Sequence, residues 1–433
     1  MMSARRNQID SLLLKMEGGT NMSGKKAYTP ITSICKDCGT EFVIASEEQR
    51  HFKAMGFELP KRCRKCRQTR KDARKAAADE ERARQEAIAK EQARHKWEED
   101  ERKLAGLLKT LPYQQIRMSD LTSDPSTVIV TGNGFDIMHG AKSSYWNFQE
   151  TLGKQSDIRR NLETYLKVSP DILWYNLEDS LSHLNAGMML DVIDMWLEMN
   201  GCYDDDDSMA AYYGAIDTAF MPVEILINEF PQRFRKWVES LACNGSKPLD
   251  YLICKDAHYL NFNYTDFLET LYLVPGDKIK YIHGSRKKGP HGRKENIVLG
   301  HVPNVDYLAD YKPTPGMVPR YKNKWKRAML DNAMDIAIDR WVNAYESTFT
   351  KHTPEIIREN ADFFEAMSDM EKVITIGHSL SEVDYPYFKE IARSNSGKAK
   401  WFIGFHSYDD MTRLIGFVDE MGIEADKIMV FRS

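Results

Sequence analysis

Two cysteine pairs, Cys35-x-x-Cys38 and Cys63-x-x-Cys66, stand 24 residues apart near the start of the chain. A CxxC turn sets two thiolates on one side of a tight loop, and two such loops can complete a tetrahedron around zinc. Four thiolates leave no open coordination position, so the metal would be structural. It would also let a unit of about 40 residues fold alone. A redox CxxC or unrelated thiols are the alternatives. Gly39 suits the turn after the first pair, and Lys36, Lys61, Arg62, Arg64 and Lys65 offset the negative charge of the sulfurs. From Lys61 to Lys75 the sequence holds nine basic residues and one acid. Such a cluster can neutralise the phosphates of a nucleic acid; it can equally be the solvated start of a helix.

A second set of residues lies far along the chain. Thr127–Thr131 reads as a buried strand that runs into Gly132-Asn133-Gly134-Phe135-Asp136. A strand, a glycine turn and a helix N-terminus form an arrangement that can hold a phosphate through backbone N–H groups. The third glycine of a dinucleotide fingerprint is missing, so a simple turn is the competing reading. Three more polar clusters close apolar strands: Asn261 to Asp266, Tyr281 to Ser285, and Gly377 to Asp384. Open α/β sheets place ligands at the carboxyl ends of their strands. Four polar strand ends therefore point to one site.

The elements that must position these groups follow from the apolar pattern. Strands are expected at Thr127–Thr131, Tyr259–Asn263, Lys280–His283, Ile297–Gly300, Lys372–Ile376, Trp401–Phe405 and Lys427–Phe431. Helices are expected at Ile158–Lys167, Met188–Met199, Pro222–Cys243, Lys324–Thr350 and Thr353–Met367. Buried strands alternating with helices predict an α/β fold, Rossmann-like, with a mainly parallel sheet. Residues from about 150 to 255 read as a helical insertion over the ligand edge. Three domains are expected: a zinc ribbon at 31–70, a charged spacer helix at 71–110, and an α/β nucleotide-binding domain at 120–433. The spacer is rich in Ala, Glu, Lys, Arg and Gln, with Pro112 marking its end. It lacks a sustained heptad seam; a weak coiled-coil dimeriser, and with it a homo-oligomer, is the rival reading.

Of the 433 residues, 42% are hydrophobic and 29% charged, which suits a protein with a sizeable core. The net charge of -4 hides a division: residues 1–110 carry +8 and the remainder -12. No apolar run is long enough to span a membrane. The run Ser11–Leu14 is too short for a signal sequence. The seven cysteines do not form a secreted disulfide framework. A cytoplasmic location is expected.

Gly132 to Asp136, Ser144-Tyr145 with Phe148, Asn261 to Glu269, Ile282 to Ser285 and Gly377 to Phe388 occur in the order found in the abortive-infection family AbiH of antiphage proteins. The chain resembles that family over about residues 126–430. More remotely, the same order resembles the sirtuin-like NAD-binding superfamily, whose defence members hydrolyse NAD. The cysteine unit resembles, over about 40 residues, the short zinc ribbons at the ends of bacterial proteins, which implies binding rather than catalysis.

What the resemblance implies can be stated by residue. NAD or a related nucleotide would be the ligand, and NAD the substrate of a glycohydrolase. Gly132, Asn133, Gly134 and Phe135 would line the diphosphate, and Gly377, His378, Ser379 and Asp384 the far side of the cofactor. Asn263 and His283 would be the active-site asparagine and histidine. Cleavage of the nicotinamide–ribose bond passes through a cationic sugar, so Asp136 or Asp266 would stabilise that charge, while His283 would accept a proton. Beside these stand plainer readings: Asn263 as a helix cap and Asp266 as a partner of the helix dipole. His139 and His378 can be second proton carriers or hydrogen-bonded structural residues. The other function classes in play are a nucleic-acid-sensing adaptor that binds a nucleotide without turnover, and a phosphodiester-cleaving nuclease. A phage component is a further candidate partner for the basic N-terminal module.

Overall fold

The computed structural model describes residues 29–199, 209–288, 294–303, 305, 307 and 339–433. It divides into two compact units, Met1–Glu98 and Glu99–Ser433.

In the first unit, strands β1 (Ile31–Ile34) and β2 (Glu41–Ile44) form an antiparallel hairpin. A helix at Ser46–Ala54 follows. The long helix spans Arg64–Leu108, starting before the expected 71 because its first turn takes in Cys66, and its residues from Glu99 onward belong to the second unit. Ile88 and Trp97 are exposed on it. It stops at Leu108, ahead of Pro112, and the Thr110 hydroxyl donates to the Leu107 carbonyl at its end.

The second unit is built on a seven-stranded sheet in which every neighbour pair is parallel. Its strands are β3 (Gln114–Ile116), β4 (Thr127–Thr131), β5 (His258–Asn261), β6 (Ile279–Tyr281), β7 (Lys372–Ile376), β8 (Lys400–Phe405) and β9 (Ile428–Arg432). The order across the sheet is β3-β9-β8-β7-β4-β5-β6. From β4 the chain winds outward through β5 and β6, then returns to the other side of β4 with β7, β8 and β9. The order therefore reverses between β4 and β7, which is where doubly wound sheets form their ligand crevice. All five residues of β4 are buried, as a central parallel strand requires.

Between β4 and β5 lies the helical insertion, from Tyr145–Leu152 to Met209–Ser240. It has its own apolar core around Phe148, Trp174, Phe230 and Phe234. Pro222 reads in the sequence as a helix start, but it lies inside the helix Met209–Ser240, as does Pro231. The expected strand Ile297–Gly300 is not one: Val298 N–H donates to the His283 carbonyl, and Ile297 and Leu299 pack on the insertion core. Thr353–Met367 divides into helices Thr353–Glu359 and Ala361–Glu365. Of Lys324–Thr350, only 339–350 lie within the described residues, with 339–349 helical. The acidic run Asp204–Asp207 lies outside them. Among the described residues no helix is long and apolar enough to cross a membrane.

Candidate functional site

The four sulfurs of Cys35, Cys38, Cys63 and Cys66 lie within 4.8 Å of one another. Cys38 Sγ and Cys63 Sγ are 3.8 Å apart. A zinc tetrahedron with Zn–S bonds of about 2.3 Å has an S···S edge of about 3.8 Å, so the donor set fits structural zinc. Gly39, at φ 70°, turns the first knuckle and donates its N–H to the Cys35 carbonyl. Lys36 N–H donates to the Lys61 carbonyl and ties the two knuckles together. Hydrogen bonding from the backbone at Cys63 lowers the Cys35 thiol pKa to about 6, whereas Cys66, crowded by the Cys38 and Cys63 thiols, is pushed up to about 12. A shared divalent cation removes that conflict.

The neighbouring basic run is partly engaged. Arg62 Nε–H is shared between both Asp37 oxygens, each at 2.8 Å, Arg70 approaches the same carboxylate at 3.3 Å, and Arg67 reaches Glu48 at 2.5 Å. Lys61 pairs with Glu58. Arg64, Lys65, Lys71, Arg74 and Lys75 are exposed and have no acidic partner among the described residues.

In the second unit the glycine turn serves a close contact between two loops. Gly132 N–H donates to the Ile376 carbonyl at 3.1 Å and Gly134 N–H to the Gly377 carbonyl at 2.8 Å. A Cβ on Gly132 would stand 2.6 Å from His378 Cα, and one on Gly134 2.6 Å from Gly377 Cα. These two amides, expected to face a diphosphate, are thus engaged within the protein. Phe135 sits in the core against His139. Asn133 is exposed, as is Ser379, whose carbonyl accepts from Arg413.

Asp136 and Asn263 do meet. Asn263 Nδ2 donates to Asp136 Oδ1 at 3.0 Å and to the Gly132 carbonyl at 2.9 Å. The Thr265 hydroxyl reaches both Asp136 oxygens, at 2.9 and 2.8 Å. This buried network clamps the end of β5 to the glycine turn. Burial raises the Asp136 pKa to about 7, against the Thr265 hydrogen bond and Arg286. His139 has both nitrogens engaged, Nδ1–H donating to the Phe135 carbonyl and Nε2 accepting from Tyr272, each at 2.6 Å; it is structural. Asp266 is not brought to this network. Arg286 holds it at 2.5 Å, with the guanidinium over the Phe267 ring.

A second cluster gathers His283 after β6, His378 after β7 and Asp384 from the turn Glu382–Asp384. His283 Nε2 is 3.7 Å from Asp384 Oδ1, and His378 Nε2 is 3.6 Å from Asp384 Oδ2. Leu380 N–H donates to His378 Nδ1 at 2.9 Å, so the neutral ring carries its proton on Nε2, facing the carboxylate. That loop is turned by Gly377 at φ 63° and by Leu380 at φ 52°, a conformation costly for leucine. Phe262 packs edge-on against both imidazoles.

Two residues complete this cluster that no sequence motif marks. Lys351 Nζ donates to Glu178 Oε2 at 2.5 Å and to Asp384 Oδ1 at 3.3 Å. Glu178 belongs to the insertion and also accepts from the Tyr145 hydroxyl at 2.8 Å. Burial is severe: Lys351 is 0% exposed, His283 2% and Asp384 5%. Burial, then the Lys351 charge, holds the pKa of His283 well below its usual value and that of His378 down to about 3. Burial raises the Asp384 pKa, opposed by Lys351. Burial also works against the Lys351 ammonium, but Asp384 and Glu178 together outweigh it and leave its pKa raised. With both imidazoles neutral, the cluster holds one cation and two anions. Its excess of negative charge can stabilise positive charge.

An all-parallel, doubly wound sheet whose perturbed ionisable groups gather at its strand ends defines a Rossmann-like α/β protein with a reaction-centre candidate at the expected edge. The chain belongs to the bacteriophage abortive infection AbiH family, whose model matches residues 128–405. A probable treble clef domain matches residues 31–75, around the four cysteines. No curated protein and no solved structure is significantly similar to the chain. Family membership implies a role in abortive infection by phage.

Proposed function

We propose that the AbiH domain carries out the abortive response as an enzyme on a nucleotide, and that its reaction is hydrolysis of the nicotinamide–ribose bond of NAD. The observation that carries this reading is the convergence of His283, His378 and Asp384 at the carboxyl ends of β6 and β7. A cationic sugar developing in the transition state is favoured by a centre with an excess of buried negative charge. A phosphodiester substrate would bring more negative charge to the same place and would need added cations. His283, as a neutral imidazole, orients the attacking water as a hydrogen-bond acceptor, Asp384 stabilises the sugar cation, and Asn263 with Asp136 positions the glycine turn. Asp266, bound to Arg286, has no catalytic part in this scheme. The cofactor's diphosphate is assigned to groups other than the Gly132 and Gly134 amides.

The test is nicotinamide release from NAD by the purified full-length protein, with lysate of phage-infected cells as the source of any trigger. His283→Asn and Asp384→Asn should lower the rate by about 10²-fold or more, and Asp266→Asn should leave it within a few-fold. Equal rates in all four proteins refute the assignment.

A second reading applies to the treble clef unit, favoured by the five unpaired cations. Arg64, Lys71 and Lys75 recur at helical spacing on one face, flanked by Arg74. This face suits the phosphate backbone of a nucleic acid, which would make the unit the sensing part of the chain. Arg62 and Arg67, paired with Asp37 and Glu48, belong to the fold of the unit instead.

A further inference from the structure

We propose that Lys351 is a positioning residue of the His283–Asp384–His378 centre, and that through Glu178 the helical insertion is part of that centre. This rests on the reading of the cluster as the reaction centre. It adds two residues that neither the sequence motifs nor the family match assigns.

The geometry places Lys351 at the meeting of three segments. Its own backbone is fixed on both sides: Lys351 N–H donates to the His301 carbonyl at 2.9 Å, and Thr353 N–H donates to the Lys351 carbonyl at 2.9 Å. The side chain then passes inward until Nζ touches Glu178 of the insertion and Asp384 of the loop after β7. A lysine with no exposed surface is expensive to bury, and pairs of this kind are often replaceable by apolar side chains. Here the ammonium has a further consequence. Asp384 Oδ1 is shared between Lys351 and the edge of His283, while Oδ2 faces His378. The lysine thereby fixes which carboxylate oxygen each imidazole meets.

His283 Nε2 is buried and makes no hydrogen bond, and the same holds for the Tyr387 hydroxyl; the two rings lie 5.6 Å apart. Buried polar atoms without partners are rare. Two on neighbouring rings, with His283 Nε2 beside a carboxylate, suit a polar ligand atom or a water. The ionisable groups facing the centre are Lys351, Glu178, Asp384, both histidines, Tyr145 and Tyr264 on the Glu178 side, and Tyr387 behind His283. Among these, Lys351 is the fixed cation. While it stays, a second positive charge on either imidazole is disfavoured, and His283 remains a free base. Once it is removed, Asp384 can hold an imidazolium instead.

The experiment is a pH titration of the full-length protein carrying isotope-labelled histidine, with His283→Gln and His378→Gln used to assign the signals. In the wild type neither imidazole should titrate between about pH 5 and about pH 8. In Lys351→Met at least one should titrate with a midpoint near or above about 6.5, and Lys351→Arg should behave as the wild type. The double variant Lys351→Met with Glu178→Gln keeps the net charge of the cluster and should titrate like Lys351→Met. Nicotinamide release by Lys351→Met should fall about tenfold or more at pH 6 and recover toward pH 8. A folded Lys351→Met or double variant with silent imidazoles, or a Lys351→Arg indistinguishable from Lys351→Met, overturns the proposal. The titration needs no substrate, so it stands or falls separately from NAD as the substrate.

Discussion

The Asp136 carboxyl offers a test of the burial argument that needs neither ligand nor phage. Asp136 is nearly fully enclosed, and burial raises its pKa to about 7. An unfolded chain would hold it near 3.9. A carboxyl whose pKa is raised in the fold adds stability at low pH, and that contribution is lost as pH rises from the unfolded value through the folded one. The window is therefore about pH 4 to 7. A shift of roughly three units corresponds to about 4 kcal/mol. This is an upper bound, because the Asn263 amide at 3.0 Å also favours the ionised form. The perturbation is Asp136→Asn, which keeps Oδ1 as acceptor for Asn263 and Thr265 but cannot ionise. Urea denaturation at pH 5 and pH 8 spans only the upper two units of that window, so wild-type stability should fall relative to the variant by up to about 2.7 kcal/mol. At about 2.1 cal/mol/K per residue, unfolding a unit of this size turns about 2.7 kcal/mol into about 4 °C of melting temperature. A wild-type-minus-variant difference that is the same at both pH values means that Asp136 is ionised in the fold and refutes the reasoning. A difference growing in the opposite sense would do so more strongly.

Other outcomes follow from the same structure. Metal analysis should find one zinc per chain, and Cys38→Ser or a strong chelator should abolish hydrogen-exchange protection across residues 31–66. Gly134→Ala drives a Cβ to 2.6 Å from Gly377 Cα and should destabilise the protein by about 2–4 kcal/mol, read from denaturant midpoints. Nucleic-acid affinity should fall with salt, and neutralising Arg64, Lys71 and Lys75 together should reduce the slope of log K against log salt by about 2.7 for duplex DNA. Equal slopes for the two proteins would remove that face as a phosphate-binding surface.

The parts of this protein that were legible in the sequence are those whose signals are local. The zinc ligands announce themselves by spacing within two short turns. The central strands β4 and β7 are mostly β-branched and apolar because both faces of a parallel sheet are covered. β3, three residues at the sheet edge, carries too little pattern to be read. Ile297–Gly300 is as apolar as a strand, yet it packs on the insertion core instead of pairing. The polar strand ends were readable as a set, but their distribution was not. Asp136 and Asn263 close on each other in a clamp, Asp266 is taken by Arg286, and His283 joins His378 and Asp384. Glycines read as phosphate-binding and glycines required by loop-on-loop contact look the same in a sequence. Lys351 and Glu178 could not be found, since each is a single charged residue in an unremarkable stretch, placed only by the way the chain returns to the sheet.

The most direct measurement is the NAD and nicotinamide content of phage-infected cells expressing the wild-type chain or His283→Asn at equal protein levels. A fall in NAD with matching nicotinamide release after infection, present for the wild type and absent for the variant, is the result expected of a reaction centre at His283. Phage restriction by the wild type with unchanged NAD would contradict NAD hydrolysis, and full restriction by His283→Asn would contradict the centre itself.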